Sequence, residues 1–524
     1  MAFEYQRSYQ RASPPGPTIE SSRDGSNGPL VETVLPWVII AVGVVVRLRW
    51  YLAQRSLWYD ESMVALNILS RSFAELAQPL DYDQGAPVGW LWLCKVATLA
   101  LGSDELALRV VPLTFGIIAL VAVHGAARTM LGPWPAVIAV GLFALLERQL
   151  YYATEVKQYA GDIAFTTLIV WAGATVAQQG LRARNGLTLL VVGIVAIYCS
   201  HPSVFVLAAT GGTLIVTEII HRRRRAAVML GAISAVWLAN FAVTYFALTG
   251  ASLRANERMM DYWARGFAPL PTAWGSINWY INAGLHLFDR KVGALGDAAA
   301  LAAALFILGL IAVWRRDRRL TALLALPIVL VVIASLGRLR LYAFHERLLL
   351  FLTPLLVFGI AAGIHYIWSI PHRRARIAAG VLAALLLVRP VYGAVDSMMR
   401  PPTVEELRPV LDKVEARVQP NDTVVLYFGA EPIFRYYIKH HAYPALASLP
   451  VTVTSSFDGK AYLDAEAELL TLPRRPRVWF ILAHPRDWSG FDDEKFYLMT
   501  LDRIGTRIEQ HSARGASATL FDLA

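Results

Sequence analysis

The sequence is poor in charged residues and contains almost no cysteine. Only 17% of its 524 residues are charged and 56% are hydrophobic, whereas a soluble domain carries about 25% charge. The two cysteines, Cys94 and Cys199, both lie in apolar stretches, so neither a disulfide framework nor a paired-cysteine metal site is indicated. HxH and HExxH spacings, a glycine-rich nucleotide loop and internal repeats are also lacking. A soluble nucleotide- or zinc-dependent enzyme is therefore not indicated.

Long apolar runs dominate the chain instead. Each is near the length of about 20 residues that spans a bilayer as a helix. We therefore predict a polytopic α-helical membrane protein with about eleven transmembrane helices. The predicted spans lie near residues 33–51, 106–127, 134–150, 163–179, 187–200, 203–220, 226–247, 297–314, 320–336, 348–368 and 377–394.

The net charge of +10 is concentrated in short connections between these spans, which argues against a nucleic-acid partner. If the helix count is right, these connections all lie on one side, and the positive-inside rule makes that side cytoplasmic. The prediction is a disordered cytoplasmic tail (1–32), a transmembrane domain (33–395) in the cell membrane and an extracytoplasmic domain (396–524). The basic connections contain Arg182 and Arg184, the run 222–225, the cluster 315–319 and the trio Arg373, Arg374 and Arg376.

Two further segments complete the expected architecture. The apolar stretch 86–101 is short and contains Lys95, so we predict an interfacial helix rather than a span. The tail after residue 395 alternates β-rich runs (423–428, 451–454, 478–482 and 516–521) with helical patterns (405–418, 462–472 and 493–504). This alternation predicts a small C-terminal α/β domain, whose Asp and His residues look like ordinary surface.

An acidic pair follows the first predicted span. Asp60 and Glu61 stand between bulky aromatic residues at the expected membrane surface. Glycosyl transfer from a lipid phosphate needs a carboxylate that takes the proton from an acceptor hydroxyl. The alternative is that the pair merely stabilises the N-terminus of the following helix, since acidic residues favour the first turn.

A second acidic segment occurs in the next outer loop. Residues 151–159 contain Glu155, Lys157 and Tyr159 together with two further tyrosines. Glu155 and Lys157 are two positions apart and would not face each other on a helix, so a simple surface ion pair explains them poorly. We interpret Glu155 as a candidate catalytic acid, and Lys157 and Tyr159 as candidate substrate-binding residues.

The outer loop 337–347 is unexpectedly basic. It contains Arg338, Arg340, His345 and Arg347 on the side that the positive-inside rule leaves poor in arginine. A phosphate ligand would explain these residues, because the guanidinium group binds phosphate through two hydrogen bonds. The alternative is that they reach anionic lipid headgroups. Arg347, at the start of a membrane helix, is the strongest candidate.

No cofactor is implied by these residues. His201 and His286 lie on the predicted outer side, with Arg254, Arg258 and Asp261 in the same long loop as His286. Their spacing matches no established metal motif, so a divalent metal stays open without being required. The aromatic residues of that loop are typical of an interfacial belt.

Several of these motifs occur in a series that resembles a known family. The series consists of Asp60-Glu61, the stretch from Gln84 to Trp90, Gly102 to Arg109, Tyr152 to Tyr159, and Arg347 to Pro354. It is similar to the integral-membrane glycosyltransferases of the GT-C fold, in the branch of protein O-mannosyltransferases, the lipid A aminoarabinose transferase and rhizobial galacturonosyltransferases. The resemblance covers most of residues 33–370. Many relatives have a His-Pro-Pro or Glu-Lys-Pro element where this chain has Asp83-Gln84-Gly85-Ala86-Pro87.

The resemblance implies a polyprenyl phosphate sugar donor, an inverting displacement with Asp60 as base, and Glu155 as the acid of the second loop. The acceptor would be an extracytoplasmic lipid, glycan or protein. Two other functions stay open: a transporter or flippase of a lipid-linked sugar, and a non-catalytic subunit. The expected scarcity of buried charge in the spans argues against an ion-coupled carrier.

Overall fold

The computed structural model describes residues 32–249, 263–272, 274–289, 298–337, 339–455, 462–472, 475–488 and 491–524. Helices occur at all eleven predicted spans. The helices before the C-terminal domain are α1 (Leu35–Tyr51), α2 (Tyr59–Ser70), α3 (Val88–Leu101), α4 (Glu105–Leu131), α5 (Pro133–Leu145), α6 (Glu147–Tyr152), α7 (Tyr159–Gln179), α8 (Ala183–Cys199), α9 (Ser203–Ile220), α10 (Arg224–Val243), α11 (Trp274–His286), α12 (Ala299–Arg316), α13 (Arg318–Ser335), α14 (Thr353–Trp368) and α15 (Arg373–Met399).

Within the described residues, eight helices are long and apolar enough to cross a membrane. The other three predicted spans correspond to α1, α5 and α8, which contain 17, 13 and 17 residues. The protein is therefore rich in candidate membrane helices, and the count of eleven crossings stays a prediction.

The predicted single span 134–150 is wrong, because the helix breaks at Leu146. This residue adopts an extended conformation, and α5 ends before it while α6 begins after it. The Arg47 side chain of α1 donates a 2.9 Å hydrogen bond to the carbonyl of Ala144, which would otherwise lack a partner at the helix end. Arg47 is only 1% exposed, so the expected scarcity of buried charge is also wrong at this position.

One predicted basic connection, 315–319, contacts the ends of two other helices. Arg316 donates to the carbonyl of Leu131, at the end of α4. Arg319 donates to the carbonyl of Ala177, near the end of α7. These contacts place the arginines of 315–319 beside the ends of α4 and α7, which the positive-inside argument assigns to the same side.

The segment predicted to be interfacial forms α3, which has 14 residues. At 1.5 Å per residue it is roughly 21 Å long, short of the ~30 Å hydrocarbon core. Lys95 on this helix donates to the carbonyls of Ile68 and Leu69 at 2.9 and 3.1 Å. These carbonyls lie at the end of α2, where helical groups lack partners and a cation is favoured. The lysine therefore joins α3 to the helix that carries Asp60.

The C-terminal domain contains a five-stranded sheet of order β2-β1-β3-β7-β6, with β1 parallel to β2 and β3, and β7 antiparallel to its neighbours. The four predicted strands are confirmed, and so are the three predicted helices. The sequence missed α17, and it missed β6, whose residues are mostly exposed. The elements are α16 (Leu407–Glu415), β1 (Thr423–Leu426), α17 (Glu431–His440), α18 (Pro444–Ala447), β2 (Val451–Val453), α19 (Tyr462–Leu470), β3 (Val478–Ala483), β4 (Asp487–Trp488), β5 (Phe491–Asp492), α20 (Asp493–Asp502), β6 (Thr506–Ala513) and β7 (Ala516–Asp522).

This domain is docked on the segment between α1 and α2 through buried hydrogen bonds. The Tyr437 hydroxyl on α17 accepts from the backbone N–H of Leu57 and donates to Glu105, both at 2.9 Å. Arg408 reaches the same Glu105 carboxylate at 2.8 Å. Because buried polar groups are costly to leave unpaired, these contacts fix the domain against the membrane bundle.

The turn between β6 and β7 supports this docking. Gly515 adopts a φ of +65°, and a Cβ atom there would lie 2.7 Å from the carbonyl oxygen of Val404. In the same turn, the carbonyl of Arg514 accepts a 2.8 Å hydrogen bond from the N–H of Glu406. Glycine is thus required for the close approach of the turn to residues 404–406.

We predict that Gly515→Ala destabilises the protein and that Gly231→Ala does not. Gly231 lies inside α10 without a positive φ, and nothing lies within 4 Å of its missing Cβ, so alanine adds no strain there and suits a helix better than glycine. Gly515→Ala loses about 1 kcal/mol from backbone strain and also displaces residues 404–406. Thermal unfolding in detergent micelles measures the difference, and equal melting temperatures for the two variants would contradict it.

Candidate active site

Asp60 lies in the first turn of α2 and is held between two cations from distant parts of the chain. Its Oδ1 atom is 3.0 Å from Nζ of Lys157, in the loop between α6 and α7. Its Oδ2 atom is 3.0 Å from Nη1 of Arg347, in the loop before α14. The structure thus brings together three residues that the sequence had singled out separately.

The electrostatics of this cluster favour the ionised form of Asp60. Burial opposes ionisation, but Lys157 and Arg347 outweigh it and hold the pKa of Asp60 below its usual range. The Arg347 guanidinium also lies over the ring of Trp58, 5.3 Å from its centroid. Asp60 is therefore an anion that is ion-paired with both cations.

Glu61, the neighbour of Asp60, points away from this cluster into a buried ion pair. Arg109 on α4 donates to both oxygens of Glu61, at 3.0 and 2.6 Å, and both side chains are 2% exposed. The N–H of Val156 donates to the same carboxylate at 2.8 Å. Arg109 also donates to the carbonyl of Arg55. The pair therefore ties the start of α2, which carries Asp60, to the loop that carries Lys157.

The helix-capping alternative accounts for only part of this arrangement. Asp60 and Glu61 do occupy the first turn of α2, where acids are favoured. Trp58 stands at the N-cap, which has no side-chain hydrogen bond. The two carboxylates bind side chains from three other segments, which a capping role does not require.

Glu155 is buried beside the cluster. Its Oε1 atom accepts a 3.1 Å hydrogen bond from the indole of Trp58, and its Oε2 atom is buried without a hydrogen-bond partner among the described residues. Burial, reinforced by the nearby carboxylates of Glu61 and Asp60, raises the pKa of Glu155 to about 8. At neutral pH this acid is mostly protonated and can donate a hydrogen bond.

Lys157 is held in place by a residue where the chain departs from the family pattern. Its Nζ atom donates a 2.8 Å hydrogen bond to Oε1 of Gln84. The Gln84 amide donates in turn to the carbonyl of Tyr82 at 3.2 Å. Gln84 therefore orients Lys157. It does so from the segment 83–87, where many of the similar glycosyltransferases have a His-Pro-Pro or Glu-Lys-Pro element and this chain has no lysine.

The other predicted binding residues do not all lie beside Asp60. Tyr159 begins α7 and is buried, with its ring 4.8 Å from that of Tyr152.

Arg340 is exposed and lies over the ring of Phe267 instead of joining Asp60. His345 contacts Trp263 and helps to line a cavity of about 290 Å³ that also includes Glu346. Arg338 lies outside the described residues.

The C-terminal domain contributes residues that sequence reasoning missed. The His484 ring stacks on Tyr59 with centroids 4.4 Å apart, and its Nδ1 atom is 2.6 Å from Glu405. The expectation that the tail's histidines are ordinary surface is therefore wrong for His484. Its position directly after a hydrophobic strand was the one available signal. Arg109 was noted only as the last residue of the Gly102–Arg109 motif, with no role assigned to it.

The described residues contain no group of three or more His, Cys, Asp or Glu side chains arranged to hold a metal ion. His286 pairs with Asp289 at 2.5 Å. Arg254, Arg258 and Asp261 lie outside the described residues, so the metal suggested for that loop stays untested.

No protein family matches the sequence, and no curated protein matches it. Solved structures do match the fold. ArnT from Cupriavidus metallidurans bound to undecaprenyl phosphate superposes with a TM-score of 0.55 and 12% identity, covering 95% of this chain and 98% of that one. Apo ArnT gives 0.53 and 12%, covering 92% and 97%. The oligosaccharyltransferase of Archaeoglobus fulgidus gives 0.50 and 14%, covering 84% and 67%.

These solved structures have the GT-C fold, and the chain shares it over most of its length. The fold named from the motif series is therefore confirmed. It includes the C-terminal sheet domain as well as the helical bundle, because more than nine-tenths of the chain is covered by ArnT.

We predict that Glu61→Gln lowers the free energy of unfolding by about 3–5 kcal/mol, because it leaves the Arg109 charge buried without its partner. The matched control is Asp81→Asn, which breaks the Arg71–Asp81 pair, in which Asp81 is 65% exposed. That variant should lose less than about 1 kcal/mol. Chemical unfolding in micelles, followed by circular dichroism, measures both values, and similar losses would contradict the assigned role of the buried pair.

Proposed function

We propose that the protein is an inverting glycosyltransferase of the cell membrane, which moves a sugar from a polyprenyl phosphate donor to an extracytoplasmic hydroxyl acceptor. One observation carries the proposal: Asp60 stands between Lys157 and Arg347, at about 3.0 Å from each. A carboxylate and two cations within hydrogen-bond distance supply the base and the leaving-group site that this reaction needs.

During the proposed reaction a proton moves to Asp60 and negative charge develops on the departing phosphate. The acceptor oxygen attacks the anomeric carbon while the bond from that carbon to the phosphate oxygen breaks, and Asp60 takes the hydroxyl proton. The donor phosphate carries one negative charge as a diester and a second as the departing monoester. Lys157 and Arg347 therefore stabilise the transition state and product more than the bound donor, as catalysis requires.

The same geometry explains how Asp60 becomes available as a base. With no phosphate bound, its carboxylate is paired with both cations. A phosphate group that binds these cations replaces that charge, weakens their hold on Asp60 and raises its proton affinity. We infer that donor binding activates the base, so a resting enzyme with a strongly paired Asp60 is consistent with this role.

Glu155 and Glu61 then have different roles. A protonated Glu155 adds no negative charge next to the phosphate and can donate a hydrogen bond from its carboxyl group. Glu61 is a positioning residue, because its partners are Arg109 and the backbone of the loop that carries Lys157. Both had been predicted as catalytic from the sequence.

The proposed orientation puts the N-terminus in the cytoplasm and this site outside. Arg319 contacts Ala177 near the end of α7, whereas Lys157 of the Asp60 cluster precedes the start of that helix, so the arginines of 315–319 lie at the opposite end of α7, as the positive-inside rule favours. The similarity to ArnT bound to undecaprenyl phosphate supports the choice of a lipid-linked donor. No nucleotide sugar is needed in this mechanism.

We predict that Asp60→Asn lowers sugar transfer by about 10²–10⁴-fold, the range for loss of a positioned general base, while the affinity for undecaprenyl phosphate increases. The increase follows because Lys157 and Arg347 lose their competing carboxylate. Transfer is measured as the envelope glycan restored to a deletion strain, by mass spectrometry, and affinity by lipid titration of purified protein.

Two variants serve as controls for this experiment. Glu75→Gln changes an exposed acid in the segment between α2 and α3 and should keep full transfer. Arg347→Met should weaken undecaprenyl phosphate binding by at least tenfold, whereas Arg340→Met, which removes the guanidinium on Phe267, should not. Full transfer by Asp60→Asn would sink the proposed function, and a transporter of a lipid-linked sugar would then be favoured.

The raised pKa of Glu155 gives a pH prediction. The carboxyl is neutral below a pKa of about 8 and ionises above it, where its charge would repel the phosphate. Wild-type transfer should therefore fall as the pH rises through about 8. Glu155→Gln, which stays neutral, should keep activity near pH 7 and lack this fall. An unchanged alkaline limb in that variant would show that another group causes it.

A further inference from the structure

The carboxyl ends of two parallel strands in the C-terminal domain face the Asp60 segment. Strands β1 and β3 pair in parallel and end at Leu426 and Ala483. His484 follows β3 directly, and its ring lies on Tyr59, the residue before Asp60. In α/β sheets, ligand sites form outside the carboxyl ends of parallel strands, next to the residues that follow them.

His484 is held there by a carboxylate that also holds α2. Glu405 accepts from Nδ1 of His484 at 2.6 Å through one oxygen and from the N–H of Tyr59 at 2.8 Å through the other. The Glu405 side chain is 6% exposed. One buried acid therefore fixes both the imidazole and the backbone that carries Asp60.

The backbone of His484 is itself unusual. Its φ is +58°, in the left-handed region that only a few per cent of residues other than glycine adopt, histidine among the more frequent of them. Its N–H donates to the carbonyl of Gly515 at 3.3 Å, in the turn that presses on residues 404–406. Such strain persists where surrounding structure imposes it, and it is concentrated at functional sites.

The contact with Glu405 decides which nitrogen of His484 can accept a hydrogen bond. A carboxylate only accepts, so Nδ1 carries a proton, and in the tautomer protonated at Nδ1 alone Nε2 keeps a lone pair that can accept a hydrogen bond. The His484 side chain is 33% exposed, and among the described residues none donates a hydrogen bond to its Nε2 atom. The ring thus presents an acceptor atom to the space beside Tyr59 and Asp60.

We propose that Nε2 of His484, oriented by Glu405, accepts a hydrogen bond from a hydroxyl of the acceptor substrate and so holds that substrate against Asp60. This inference rests on the proposed function and gives the C-terminal domain a direct part in it. The acceptor side is favoured over the donor side because the cations that hold the phosphate, Lys157 and Arg347, come from loops of the membrane domain.

Three substitutions of His484 separate this role from a purely structural one. Glutamine can place its amide oxygen near the position of Nε2, whereas asparagine places a group near Nδ1, where it can still donate to Glu405. Asparagine also tolerates a positive φ better than glutamine. A structural role therefore favours His484→Asn, and hydrogen bonding to a substrate favours His484→Gln. His484→Ala removes both contacts.

The experiment uses membranes of the deletion strain, which contain the native donor and acceptor, supplied with purified full-length variants. Mass spectrometry quantifies both the sugar transferred to the envelope and the sugar released to water by hydrolysis of the donor. We expect His484→Asn and His484→Ala to lose transfer by about tenfold, the effect of one hydrogen bond, with hydrolysis and undecaprenyl phosphate affinity unchanged. His484→Gln should lose clearly less.

Two results would overturn the inference. Transfer by His484→Asn equal to or above that of His484→Gln would assign the histidine a structural role. Equal losses of transfer and hydrolysis would place the hydroxyl on the donor sugar. Asp60→Asn, run in the same membranes, keeps the proposals distinguishable, because it tests the enzymatic assignment whether or not His484 contacts the acceptor.

Discussion

The buried ion pair of Glu61 and Arg109 is the interaction on which the rest of the site depends. It joins α2 to α4, and it holds the backbone at Arg55 and Val156. Asp60 adjoins Glu61 at the start of α2, and Lys157 adjoins Val156, so the 3.0 Å contact of Asp60 with Lys157 is set by a pair that points away from it. Both side chains of this pair are 2% exposed. Because buried ion pairs add little net stability, the main effect of this pair is to fix the relative positions of the segments that it joins.

Charge balance links this scaffold to the chemistry. Two acids, Asp60 and Glu155, lie near two cations, Lys157 and Arg347, and their environments push the acids in opposite directions. The cations favour the ionised form of Asp60, while burial favours the protonated form of Glu155. Two carboxyl groups with such different proton affinities can take different roles in one reaction. The C-terminal domain reaches the same place through Glu405, so the site spans both parts of the chain.

Much of this arrangement could be predicted from the sequence, and the remainder depended on tertiary contacts. Apolar runs fixed the positions of the helices, and β-rich runs fixed four strands of the sheet, because burial imposes these patterns. The break at Leu146 was invisible, since it depends on Arg47 from another helix. Asp60, Lys157 and Arg347 stood out as charges near membrane-helix ends. His484 did not, because its place directly after a hydrophobic strand does not indicate that this end of the sheet packs on Tyr59.

The central claim is that Lys157 and Arg347 bind the phosphate that Asp60 replaces in the resting protein. The most direct measurement is an experimental structure in lipid nanodiscs with undecaprenyl phosphate bound. The account predicts phosphate oxygens within hydrogen-bond distance of both cations, with at least one of the two 3.0 Å contacts of Asp60 lost. A phosphate bound elsewhere, with Asp60 still paired to both residues, would contradict it.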